Sequence, residues 1–240
     1  MTKIRQLEAL FQHSLGLKTR GALAALLTEL STLAGWQALD LGRTDQAWQH
    51  YERAKAAARD AGNPLLEAHA RAEQCFVLVD VGESTSTVEQ LGAVRSALRR
   101  GTPLLRAWLA AAHGEVLAAA GRQDAALRAF DDAYAESGEA EQLDSSPYLV
   151  LRTVDLIRWR GHALARFGHP DAVEVLSSAL RELPADFVRA ETGLLVDLAL
   201  AGRATGRADL AQRHASRAAV LARSIGSKRQ LKRLNALVTR

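Results

Sequence analysis

Four residues in the stretch YLVLRTVDLIRWRGHALARFG bring a carboxylate, two guanidiniums and an imidazole into one segment: Asp155, Arg158, His162 and Arg166. An arginine can fork two N–H groups onto a carboxylate, such as a peptide C-terminus. An imidazole beside a carboxylate can move a proton. The same residue types recur along the chain, with Asp40, His69, Asp80, Glu115 and Arg203 polar and Trp36, Phe76 and Trp108 aromatic. Tryptophan supplies contact area at small entropic cost. These twelve residues form the candidate ligand or partner groove. A peptide, a protein segment or a small effector is what such a lining would hold. The alternative is an enzyme or small-molecule-binding protein of a specialised-metabolite pathway, with His162, Asp155, Glu115 and His69 as acid or base groups.

Catalysis has little support in the spacing. The His-Glu-x-x-His pair of a metalloprotease helix is absent, and so are a P-loop, a dinucleotide fingerprint and a nucleophile elbow. No catalytic residue, metal site or cofactor is therefore expected, and the chain reads as a non-enzyme. Cys75 is the single cysteine, which excludes an internal disulfide and a cysteine-rich metal site. It reads as a small core residue. Each candidate also has a plainer role: tryptophans pack between helices, arginines pair with neighbouring carboxylates, and most histidines are structural.

The elements that would position these residues are helices. Hydrophobic residues make up 48% of the 240, mostly Ala and Leu, with only 5 Pro and few β-branched runs. That composition favours helix over sheet, so an all-α fold is expected. No run of 18 apolar residues is present to span a membrane. Gln6, Glu8 and Gln12 interrupt the first apolar stretch, unlike a signal peptide. A cytoplasmic protein with no membrane partner is the expectation.

The helices are organised around LAGWQALDLGRTDQAWQHYERAKAAARDAG, residues 33–62, which reads as helix, tight turn, helix. Its order Gly35, Gly42, Ala47, Tyr51, Ala54 returns as Gly114, Gly121, Ala126, Phe130, Ala133. Small residues let two helices cross closely while the aromatic fills the space beside them. Turn glycines at 42, 82, 121, 168 and 206 are separated by 40, 39, 47 and 38 residues. The pattern resembles a tetratricopeptide repeat, though longer than its usual repeat of about 34 residues. It is strong in the first and third hairpins and poor in the second. The resemblance implies one domain, a right-handed superhelix of about five hairpins with a capping helix at each end. The boundaries follow as an N-terminal cap over 1–21, repeats over 22–223 and a basic C-terminal cap over 224–240. In such a stack the first helix of each hairpin lines the concave face, which is what places the twelve candidates together. Helices are expected over 3–17, 22–41, Asp45 (as cap) to 60, 65–81, 88–99, 103–120, 125–134, 147–167, 172–183 and 187–204, then after the turn Gly206-Arg207-Ala208-Asp209 to Arg223, and over 227–238. Lys18–Gly21 reads as a linker, ESTST (83–87) as a weak helix former and SGEAEQLDSS (137–146) as an acidic loop.

Three stretches, LAGWQALDLGRTDQAWQHYERA, YLVLRTVDLIRWRGHALARFGHPDAVEVL and ADFVRAETGLLVDLALA, carry a narrower resemblance. They look like the C-terminal sensor region of actinobacterial Cro/CI-type helix-turn-helix regulators. The DNA-binding half of those regulators is not expected in this sequence. The resemblance implies a stand-alone sensor or interaction module tied to transcriptional or biosynthetic control. Homodimerisation is expected, since repeat arrays often expose an apolar face.

Charge is uneven along the chain. Asp209 is the last acidic residue, and eight basic residues follow it: Arg213, Arg217, Arg223, Lys228, Arg229, Lys232, Arg233 and Arg240. Such an end either contacts phosphates or forms a solvated cap. No aromatic residue follows Phe187, which removes base stacking and argues against nucleic acid as a partner.

Overall fold

The structure is a computed structural model that describes residues 2–14, 16–98, 101–143 and 149–238. Twelve helices and no strand occur among them. α1 (Thr2–His13) precedes five antiparallel hairpins. These are α2 (Leu17–Asp40) with α3 (Thr44–Asp60), α4 (Pro64–Val81) with α5 (Ser84–Ala97), and α6 (Pro103–Ala119) with α7 (Gln123–Leu143). Then come α8 (Thr153–Phe167) with α9 (Ala172–Glu182) and α10 (Val188–Ala204) with α11 (Ala208–Ser224), before a last helix α12 (Lys228–Val238). This is the expected all-α helical-repeat superhelix.

The predicted glycines do two jobs. Gly42, Gly82, Gly121, Gly168 and Gly206 all have positive φ and end the first helix of each hairpin. Gly35 and Gly114 admit an aromatic ring: a methyl group at either would come within 2.8 Å of Tyr51 or Phe130, both fully buried. Gly161 meets Leu176 in the same way, at 2.7 Å. In the second hairpin Cys75 takes the glycine's place, seven residues before Gly82, and the buried Leu91 takes the aromatic's. A larger residue on one helix is matched by a smaller one on the other, so the interior stays filled.

Several expected boundaries move. Lys18–Gly21 is the first turn of α2, not a linker. Arg20 lies over Phe11 and donates to the carbonyls of Phe11 (2.8 Å) and Ser14 (3.2 Å), satisfying the end of α1. On α1, Leu10 is exposed while Ile4 is buried. Asp45 lies in the first turn of α3 without capping it, since the N-cap is Arg43. ESTST is helical from Ser84, because Thr87, Val88 and Leu91 are buried and tertiary contact outweighs propensity. Residues 137–143 extend α7 where a loop was expected; Ala, Glu and Gln there are good helix formers. Residues 144–146 and Pro147 lie outside the described residues. The helix expected from Pro147 begins at Thr153. Before it, Leu149 and Leu151 are buried while Val150 is exposed, the alternation of an extended strap across the central core. Phe187 is the N-cap of α10.

Candidate functional site

The concave face gathers the first helices of the hairpins, and α12 lies across it. Apolar side chains bind α12 to the C-terminal hairpin, with Leu234 buried against Leu195, Val196 and Ala218. Its other side reaches the first two hairpins through polar groups. Ser227 Oγ donates to Asp40 at 2.6 Å, and Arg229 Nε to Asp80 at 3.2 Å. Lys232 Nζ donates to the Asp80 carbonyl at 3.0 Å. Arg189, at the start of α10, also pairs with Asp40, donates to Ile225 O at 3.1 Å and lies over the Trp36 ring at 5.8 Å. The superhelix thereby closes on itself. The half-formed capping box of α12 reflects this: Gln230 N–H donates to Ser227 Oγ at 3.3 Å, but the Gln230 side chain accepts from Arg233 instead.

The closure leaves a half-open cavity of about 910 Å³. Seven of the twelve candidates line it: Trp36, Phe76, Asp80, Glu115, Arg158, His162 and Arg166. Arg203 lines an adjoining recess of about 340 Å³ that shares Arg166 and Arg233 with the main cavity. Four candidates stand elsewhere. Asp40 is held in the closing seam. His69 and Trp108 are buried beneath the cavity, their rings 4.7 Å apart and edge to face. Asp155 accepts from the Arg152 backbone N–H at 3.1 Å and faces Arg158 at 3.5 Å, so it organises the start of α8.

A charged cluster spans α6, α8, α10 and α12. His162 Nδ1 is 2.7 Å from Glu115 Oε2. His162 Nε2 faces Arg166 Nε at 3.2 Å and Arg233 Nη2 at 3.0 Å. Guanidinium groups only donate, so Nε2 is an acceptor and the ring proton sits on Nδ1, toward Glu115. Arg233 also pairs with Asp197 on α10. Burial pushes the Asp197 carboxyl up, but Arg233, His162 and Arg166 together hold it below the usual carboxylate range. Burial lowers the pKa of Arg166, with Glu115 acting the other way.

A second group sits on α4. The Tyr51 hydroxyl donates to Glu73 Oε2 at 3.2 Å, and Glu73 Oε1 is 3.9 Å from His69 Nε2. Burial raises the Glu73 carboxyl to about 7 and lowers His69 to about 4. Phe76, Trp108 and Trp159 form an edge-to-face cluster with centroids 6.0 to 6.5 Å apart. Phe76 and Trp159 reach the cavity from it.

Glu73, Trp159, Arg189, Asp197, Arg229, Lys232 and Arg233 also line the cavity and were not among the sequence candidates. Asp197 carried a signal, as one carboxylate inside the apolar run GLLVDLALA that must find a partner when buried. The α12 basic residues were read as an end cap or a phosphate contact. Three of them, Arg229, Lys232 and Arg233, instead turn inward onto carboxylates. Cys75 is buried, and burial pushes its thiol up to about 11, unsuited to a nucleophile. Among the described residues no three His, Cys, Asp or Glu side chains are grouped to hold a metal, and no helix is long and apolar enough to cross a membrane.

No protein-family profile matches the chain, and no curated protein is significantly similar in sequence. Similarity appears in solved structures. A point variant of the nearly identical TPR-like repeats of a kinesin-light-chain-like protein from Podosopora anserina, seen in a crystal structure, aligns at TM-score 0.50 and 16% identity. The alignment covers 81% of this chain and 94% of that one. A crystal structure of the same repeats without the substitution gives 16% identity over the same shares at TM-score 0.47. With the hairpin geometry above, the first alignment gives the chain the fold of TPR-like helical repeats.

Proposed function

We propose that the chain is a non-enzymatic interaction or sensor module that takes a peptide segment or small effector in its concave cavity. The observation that carries this is the half-open cavity of about 910 Å³ on which seven candidates from four hairpins converge. Its size falls in the range of about 300–1,000 Å³ typical of ligand pockets. Trp36, Phe76, Trp159 and Phe187 give the cavity aromatic walls, and its many charged side chains suit a polar or charged ligand. The resemblance read in the sequence to Cro/CI-type regulator sensor regions motivates a place in transcriptional or biosynthetic control. A cytoplasmic setting and a homodimer belong to the same proposal. Partners captured from the native host by the wild type are expected to be lost by Arg158→Ala/Arg166→Ala. Retention of the same set by the variant would remove the cavity from the binding role.

One observation favours the second reading, an enzyme or small-molecule-binding protein of a specialised-metabolite pathway. Glu73 lines the cavity with a carboxyl near 7, where a general base works best. No nucleophile or oxyanion donor set accompanies it among the described cavity residues.

A further inference from the structure

The two ends of the stack are finished differently. First helices of consecutive hairpins pack on one another: α2 on α4, α4 on α6, α6 on α8 and α8 on α10. Past α10, α12 covers the last hairpin, with Leu234 buried against Leu195, Val196 and Ala218. At the other end α1 covers one side of α2, through Ile4 and Leu7 against Leu27, Leu30, Ala34 and Ala57. Leu26 and Leu33 of α2 stay 43% and 51% exposed. They stand 16 and 9 residues before the turn glycine Gly42. In the second and third hairpins, each with a hairpin packed before it, those places hold Leu66 and Glu73, then Leu105 and Ala112. Leu66, Leu105 and Ala112 are at most 2% exposed, and the Glu73 side chain is 16% exposed. The two leucines are therefore a stacking face that lacks its neighbour. Apolar residues also run right round α2 instead of along one stripe, as in helices covered on every side.

We infer that this face is covered by the same face of a second copy, α2 against α2 about a twofold axis, with Leu26 of each chain opposite Leu33 of the other. Two observations select that occupant. Leu26 and Leu33 lie two turns apart on one side of the helix, so the pair is self-complementary when one helix is reversed. The last hairpin of another copy has no bare face to offer in their place, because α12 already covers it. α2 has 24 residues and is about 36 Å long, enough for an antiparallel helix pair. A stripe of two leucines is small beside the roughly 800 Å² per partner of a standard interface, so the dimer is reversible and concentration-dependent. The inference rests on the homodimer in the function proposed above and specifies the face that forms it.

The test is sedimentation velocity on the whole chain from about 1 to 200 μM, a range that brackets micromolar affinity. The wild type shifts from monomer toward dimer as concentration rises. Leu26→Asp and Leu33→Asp each weaken the dimer at least about tenfold, since each would bury a carboxylate without a partner. Val220→Asp, at an exposed position on α11, leaves the dimer unchanged. Circular dichroism checks that the variants are folded; a misfolded Asp variant is replaced by Ser at the same position. A mixture of Leu26→Cys and Leu33→Cys chains cross-links under oxidant faster than either alone, and the buried Cys75 stays out of the reaction. A dimer that survives both Asp variants, that is lost with Val220→Asp, or that shows no preference for the mixed cross-link overturns the inference while the homodimer reading stands. A monomer at every concentration overturns both.

Discussion

Between α6 and α7 the Phe130 ring lies so close to Gly114 that a methyl group there would come within 2.8 Å of it. Between α12 and α4 the contact is Asp80 held by Arg229 and Lys232, with the Lys232 side chain two-thirds exposed. The first seam is dry and is set by volume; the second is wet and is set by charge. Apolar burial scales with area and tolerates no gap. Partly exposed ion pairs contribute little each and weaken with salt. The repeats therefore supply the stability of the fold, while the closing seam decides how its two ends meet.

Breaking the dry seam has the largest expected effect. Phe130→Ala should cost about 3–5 kcal/mol in denaturant unfolding. Gly114→Ala, which overpacks the same contact, should cost roughly 1–3 kcal/mol. Combining Gly114→Ala with Phe130→Leu imitates the Cys75–Leu91 pair of the second hairpin. It should be less harmful than the sum of the two single changes. Strict additivity would show that the exchange of size between the two helices is not what fills the second hairpin.

The next effect sharpens the comparison beneath the cavity, where burial acts on charge. Glu73 is raised to about 7 in the folded chain, above its unfolded value of about 4.3. Its contribution to stability is full below about pH 4.3 and is lost as pH rises through about 7. His69 is lowered to about 4, so its contribution is full above about pH 6.5 and is lost as pH falls toward about 4. The two slopes oppose each other and largely cancel across this window. Glu73→Gln removes one slope, so the variant should gain stability with rising pH, by up to about 3 kcal/mol between roughly pH 4 and 6.5. Parallel profiles for the two proteins would show that Glu73 is not held protonated.

The smallest effect falls on the wet seam. Asp80→Asn should lower global stability by roughly 1 kcal/mol or less. Amide exchange in α12 should nonetheless quicken, and salt should quicken it in the wild type but scarcely in the variant. Equal salt response in both would place the closure elsewhere.

The two seams differed equally in how well they could be read. Gly35 with Tyr51 and Gly114 with Phe130 left a local, repeated spacing, so hairpins and concave face followed from it. Across the closing seam the partners lie 149 to 187 residues apart along the chain, as Arg229 with Asp80 and Ser227 with Asp40 show. Such pairs leave no periodic mark, and a basic tail reads the same whether it is solvated or folded inward. His69 and Trp108 were expected to line the groove but are buried, because depth on a helix face is set by the neighbouring helices. Asp197 announced a partner without naming it. Thr87 was misjudged because propensity was weighed without the burial that overrides it.

An open array of hairpins touches only its neighbours, so it can fray from either end one unit at a time. Here Ser227 and Arg189 both hold Asp40, so the last segments of the chain are fastened to its first hairpin. A terminal unit cannot then peel away without first releasing the other end. The seam that contributes least to total stability makes opening a collective event, converting a linear stack into a single cooperative unit.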